Sequence, residues 1–211
     1  MSIIRRPFRY RYENVVFVIM GLNLLVYLAE LFFKNLPVIP FLSMIPLAVL
    51  GRGWIWQFVT YMFVHDPRSI SHLLFNMLAL FIFGRQVEHK MGSREFLLYY
   101  LVTGAMAGVF SFFAYLFTGH MWVTLMGASG AIFAVQLAFA AFFPSSVIYL
   151  WGILPLRAPV MVLGFTALEV FFMITGRGGN VAHTTHLAGF AFGWIYFVVR
   201  FGINPWKAMR R

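Results

Sequence analysis

Stretches of lipid-like sequence long enough to cross a bilayer recur along this chain, and they limit its fold more than any other feature. Six stand out: Val15–Phe33, Ile70–Phe83 with an extension to about Lys90, Phe96–Thr118, Ser129–Phe143, Val160–Thr175 and His183–Phe201. A hydrocarbon core about 30 Å thick asks for about 20 apolar residues per helix. The first, third and sixth runs meet that, and the others are short. Lipid offers no partner to backbone N–H and C=O groups, so such runs must satisfy them internally, as helices. Period-two alternation, the signature of a membrane barrel, is absent. With 62% hydrophobic and 10% charged residues, the chain has too little charge to cover a soluble domain. An all-α membrane protein with a six-transmembrane-helix bundle is the predicted fold class.

Lysines and arginines orient the bundle. With the N-terminus inside, one side carries Arg5, Arg6, Arg9, Arg11, Arg85, Lys90, Arg94, Arg157, Arg200, Lys207, Arg210 and Arg211. The other side carries only Lys34, Arg52, Arg68 and Arg177. Both termini are therefore expected in the cytoplasm, in a multi-pass protein of a bacterial-type plasma (inner) membrane. The net charge of +10 sits beside apolar runs rather than on a polar domain, which argues against a nucleic-acid partner and for a lipid one. No cysteine is present, so disulfide and thiolate chemistry are excluded. The first apolar run is too long for a cleavable signal and lacks a small-residue cleavage site, so it reads as the first span. Residues 1–211 read as one domain, with a basic cytoplasmic N-terminus over 1–13. Residues 34–69 carry Pro37, Pro40, Pro46, Gly51 and Gly53, yet also Trp54, Trp56 and Phe58. That mixture predicts an amphipathic outer loop lying in the membrane interface.

The fourth run carries the chemistry. From Ser129 to Phe143 a helix rises about 22 Å, short of the hydrocarbon thickness. Pro144 fixes its cytoplasmic end, so Ser129 would start below the outer surface, with 119–127 dipping in as irregular chain. Irregular backbone at that depth belongs against protein or a water-filled cavity, and hydrolysis needs a cavity. The bland alternative is one ordinary span over Trp122–Phe143, with Ser129 a small packing residue. His186 starts the sixth run from the same side and at similar depth, in His183-Thr184-Thr185-His186-Leu187-Ala188-Gly189. Gly189 and Gly193 form Gly-x-x-x-Gly on that run, and Gly130 and Ala134 are small at matching spacing on the fourth, which lets two helices pack closely.

His72 and Asn76 are four apart on the second run and share a helical face. Together with the Ser129 N–H, free at a helix start, they make suitable donors to an oxyanion. Either residue alone is more ordinarily an interfacial or interhelical polar group. Glu169, inside the fifth run, reads as a paired or snorkelling carboxylate, and Glu30 and Lys34 as an interfacial pair. Two rivals to a serine hydrolase stay open. His183, His186, His72, His65 and Glu169 hold enough donors for a metallohydrolase, although no His-Glu-x-x-His occurs. A non-enzymatic binder of membrane clients, or a small transporter, is the other.

Jointly these residues resemble the rhomboid family of intramembrane serine proteases, over nearly the whole chain. The resemblance rests on Gly127-x-Ser129-Gly130, on His72-Leu73-Leu74-Phe75-Asn76 with Gly84, Glu88 and Gly92-Ser93 following, and on His186-x-x-Gly189-x-x-x-Gly193. It implies a rhomboid-like six-helix bundle and a Ser–His dyad without a carboxylate, with no metal and no cofactor. The implied substrates are single-span transmembrane proteins, cleaved near small residues. By the same resemblance Ser129 is the nucleophile, His186 the base, and His72, Asn76 and the Ser129 N–H the oxyanion hole. Gly127, Gly130, Phe133, Gly189 and Gly193 are supporting residues, Phe133 at an aromatic position on which the histidine rests. His183 receives no catalytic role. One departure concerns the first loop: many members carry Trp-Arg where this chain has Trp56-Gln57, which leaves the loop's anchoring open. Oligomeric state is not legible.

Overall fold

The first apolar run becomes α1 (Val15–Phe32), and a distant carboxylate meets the backbone donors at its N-terminus. Glu88 accepts from the Val15 and Val16 N–H groups at 2.6 and 3.0 Å and from the Ser93 hydroxyl at 2.5 Å. An acid at that end also suits the helix dipole. The protein is seen in a computed structural model that describes residues 5–33, 35–150, 152–176 and 183–210. Lys34, Arg177 and Arg211, used above for orientation, lie outside the described residues, as does the Glu30–Lys34 pairing.

After α1 the outer loop folds into α2 (Val38–Leu42), α3 (Pro46–Arg52), α4 (Gln57–Thr60) and a tight turn at Tyr61–Phe63. The second run is α5 (Ile70–Ala79), a π-helical turn over Leu80–Gly84, and α6 (Arg85–Met91), continuous over 22 residues. Then come α7 (Ser93–Phe117), α8 (Ser129–Phe142), a hairpin of β1 (Val147–Leu150) and β2 (Leu154–Arg157), α9 (Ala158–Thr175), α10 (His183–Tyr196) running on as a π-helical turn over Phe197–Phe201, and α11 (Pro205–Met209). Among the described residues four helices are long and apolar enough to cross a membrane: Val15–Phe32, Ile70–Met91, Ser93–Phe117 and Ala158–Thr175. α8 is apolar but shorter. Among the described residues the hairpin is the one pair of strands, antiparallel with Val147 opposite Arg157. Its sequence signal was a short β-branched and aromatic run, Val147-Ile148-Tyr149-Leu150, before a glycine at 152.

Burial sorts the helices. Eleven of the fourteen α8 residues are buried, which explains why this helix is apolar all round. It is the hub, with α7 and α10 packed against it. Close approach depends on small residues: a Cβ on Gly189 would lie 2.0 Å from the Gly130 carbonyl oxygen, and one on Gly193 would lie 3.1 Å from Ala134 Cα. The Tyr99 hydroxyl donates to the Ala134 carbonyl at 2.6 Å, tying α7 to α8. Between the start of α7 and the end of the α10 run, Glu95 accepts two guanidinium bonds from Arg200 at 2.8 and 2.9 Å and one from the Tyr196 hydroxyl at 2.6 Å. By contrast α9 buries only Ala158, Met161 and Val162, all in its first turns.

The outer loop is held to the bundle despite lacking Trp-Arg. Gln57 is fully buried; its amide donates to the Pro40 and Phe41 carbonyls at 2.9 and 3.3 Å and accepts from the Ile45 N–H at 3.1 Å. Trp56 Nε1 donates to the Phe41 carbonyl at 3.0 Å, and Met44 bridges to Leu125 through a pair of backbone bonds of 3.0 and 2.9 Å. The anchoring question thus has an answer. A neutral amide with one acceptor and two donors holds the loop here.

Candidate active site

Ser129 is the first residue of α8, and the chain reaches it through an unusual backbone conformation. Gly127 sits at φ +115°, where an L side chain is strained, and its N–H donates to the Tyr61 carbonyl at 2.9 Å. A Cβ there would also lie 2.8 Å from His72 Nε2. Glycine is therefore required on both counts. The stretch before α8 is irregular, as the short fourth run implied, and the ordinary span over Trp122–Phe143 is not formed.

His186, in the first turn of α10, places Nε2 2.7 Å from Ser129 Oγ. Its ring stacks on Phe133 with centroids 4.4 Å apart and planes 11° off parallel. Phe133 lies one turn beyond Ser129, so one helix supplies both the hydroxyl and the ring's platform. Behind His186, the Thr185 and Ser111 hydroxyls are 2.6 Å apart and fix α10 against α7. Gly130, Gly189 and Gly193 lie in the same α8–α10 seam, as their spacing predicted.

The other face of Gly127 is closed by His72, whose ring is 5.0 Å from that of His65. Asn76 is buried one turn on, and its amide donates to the His72 carbonyl of its own helix at 2.8 Å. One amide hydrogen remains free. The Ser129 N–H, at the first position of α8, has no intrahelical acceptor. His65, in the loop before α5, is buried, and burial first, then the neighbouring His72, pushes its pKa down to about 3.

One contact departs from the sequence reading. The resemblance implied a dyad without a carboxylate, yet Glu169 Oε1 on α9 lies 3.0 Å from His186 Nδ1. Its Oε2 lies 2.5 Å from His183 Nδ1. Glu169 is thus paired, as one of its two readings held, but with the two histidines of the sixth run. The signal was present: His183 and His186 are three apart on one helical face, and an acid inside an apolar helix must find partners. The same three residues bring their donor atoms within 4.8 Å of one another, a set that could hold a metal ion. Among the described residues, a cavity of about 480 Å³ lies between α1 and the outer loop, and one of about 430 Å³ between α8, α9, α10 and α11.

Comparison with known proteins gives a consistent picture. A Rhomboid domain model matches residues 52–203. Among curated relatives, "RHOMBOID-like protein 12, mitochondrial" of Arabidopsis thaliana is 29% identical over 165 residues, 70% of this chain and 47% of its own length. "Putative rhomboid protease YdcA" of Bacillus subtilis is 27% identical over 71% of this chain and 68% of the relative. "Rhomboid protease GlpG" of Yersinia pestis is 26% identical over 66% of this chain and 46% of the relative. The chain spans less than half the length of the first and third of these.

Proposed function

Because this chain belongs to the rhomboid family of integral membrane proteins, we propose that it is an intramembrane serine endopeptidase cleaving single-span membrane proteins. The observation that carries the reading is the 2.7 Å approach of Ser129 Oγ to His186 Nε2 at the start of two tightly packed helices. Neutral His186 takes the Ser129 proton as Oγ attacks the scissile carbonyl carbon. The oxyanion is met by the Ser129 N–H, the His72 ring and the free amide hydrogen of Asn76. In a low-dielectric site one such donor is worth about 10²–10³ in rate. His186 then passes its proton to the leaving amine, and the acyl-enzyme forms. Water, deprotonated by the same ring, hydrolyses the ester and returns the proton to Ser129. The charge asymmetry favours both termini on the cytoplasmic side, with Ser129 beneath the outer leaflet.

The test is cleavage of a single-span reporter by purified protein in proteoliposomes. Ser129→Ala and His186→Ala each abolish it, and a fluorophosphonate labels wild type at Ser129. Undiminished cleavage by Ser129→Ala excludes the reading. A metal-dependent hydrolase is the second reading, favoured by the Glu169–His183–His186 donor set; three protein ligands and a water suffice for catalytic zinc. Chelator-sensitive cleavage without fluorophosphonate labelling selects it.

A further inference from the structure

We infer that Glu169 is a positioning residue for His186, holding the imidazole in the tautomer that leaves Nε2 free to accept the Ser129 proton. The inference rests on the serine-protease reading and deepens it. A neutral imidazole carries one N–H, and which nitrogen bears it is set by the partner of the other. If the proton sat on Nε2, the ring would offer Ser129 a donor, and the hydroxyl could not be activated. An ionised carboxylate only accepts hydrogen bonds. With Oε1 3.0 Å from Nδ1, it requires the proton at Nδ1 and a lone pair at Nε2, facing Ser129 Oγ 2.7 Å away.

The second carboxylate oxygen explains His183. Its Nδ1 lies 2.5 Å from Oε2, so each oxygen of Glu169 has one imidazole donor and the carboxylate cannot turn away from His186. Phe172, one turn further along α9, packs its ring 5.6 Å from that of His183 and covers the pair. On this part of α9 the neighbours Leu168, Val170 and Met173 are exposed, while Glu169 turns in beside Phe172, with 13% of its side chain exposed. Removing a charge from water is expensive unless it is paired and hydrogen-bonded, which this one is. When His186 takes the serine proton, the imidazolium forms against an anion in a low-dielectric setting, where the attraction is strong. Among the described residues the other groups facing His186 are Ser129 and Phe133 from α8 and His72 from α5, and none of them contacts Nδ1.

The experiment uses the chain of 211 residues in detergent, labelled with 15N-histidine, together with the Glu169→Gln variant. In wild type the His186 nitrogens are expected to show Nδ1 protonated and Nε2 unprotonated. In Glu169→Gln the amide can donate to Nδ1, so the ring shifts towards the Nε2–H form. Fluorophosphonate labelling of Ser129 should slow by at least about tenfold at an unchanged melting temperature; in a soluble serine-protease triad the acid-to-amide change costs about 10⁴ in turnover. A wild-type His186 protonated at Nε2 overturns the inference, and so does a folded Glu169→Gln variant labelled within about twofold of wild type. Should Glu169→Gln not fold, the wild-type tautomer decides alone. Failure of the protease reading looks different: wild type itself is then not labelled at Ser129.

Discussion

Adding a single methyl group at Gly189 should disable the site without touching a reacting atom. A Cβ there would stand 2.0 Å from the Gly130 carbonyl oxygen and 3.0 Å from its carbon, where ordinary contact begins at 3.4 Å. The obstacle is backbone, which cannot swing aside as a side-chain tip can. In Gly189→Ala, α8 and α10 must therefore part by about 1.4 Å along that contact if neither helix deforms. Ser129 stands one residue before Gly130, and His186 one turn before Gly189, so the separation passes directly into their 2.7 Å contact. Opened to about 4 Å, it is no longer a hydrogen bond. A misplacement of about 1 Å costs about 10² in rate, and overpacking a seam of this kind costs about 1–3 kcal/mol of stability. Fluorophosphonate labelling rate and melting temperature on the same preparation report the two effects separately. Gly164→Ala on α9 is the control, since its Cβ would have nothing within 4 Å. Labelling of Gly189→Ala at the wild-type rate would refute the claim that this seam sets the serine–histidine distance.

The remaining predictions concern the outer loop. Gln57→Leu leaves the Ile45 N–H and the Pro40 carbonyl without their buried partner, and should lower stability by about 1–3 kcal/mol in thermal unfolding, detaching 38–57 to proteolysis first. For His65, the folded-state pKa of about 3 lies below the ordinary 6.5. Above about pH 6.5 the ring is neutral in both states and contributes no pH dependence. As pH falls from 6.5 towards 3 the unfolded chain binds a proton that the folded one refuses, so stability drops through that window. Melting temperature against pH should therefore fall less steeply over this range in His65→Gln than in wild type; parallel curves would discard the assignment.

Much of this was legible because membrane sequences obey few rules strictly. The apolar runs predicted α1, α7 and α9 to within three residues at each end, since lipid leaves helix as the only option. The start of α8 was readable from its shortness and from Pro144, and the α8–α10 seam from small residues at spacing four. The hairpin after α8 was not, because a four-residue strand leaves too little periodicity to separate it from a loop. That Glu169 needs a partner was legible, but not which one: periodicity puts His183 and His186 on one face, while the rotation of one span against another is set by packing across the whole bundle. Gln57 was missed for a different reason. Its role is to satisfy three backbone groups of irregular chain, and those carry no side-chain pattern.

The uneven burial of the helices has a mechanistic consequence. Ser129, His186 and Phe133 all belong to α8 and α10, which share a glycine-lined contact too tight for a methyl group. Glu169 comes from α9, which buries only three residues, none of them beyond Val162. Ser129 and His186 are thus fixed by the best-packed part of the bundle, and the carboxylate behind them by one of the least packed. A displacement of the outer half of α9 would carry Glu169 away from Nδ1 while Ser129 and His186 stayed 2.7 Å apart. The pair would keep its distance and lose its tautomer. Rate at this site should then respond to the position of α9 through the placement of one proton, with no change in the geometry of the α8–α10 seam.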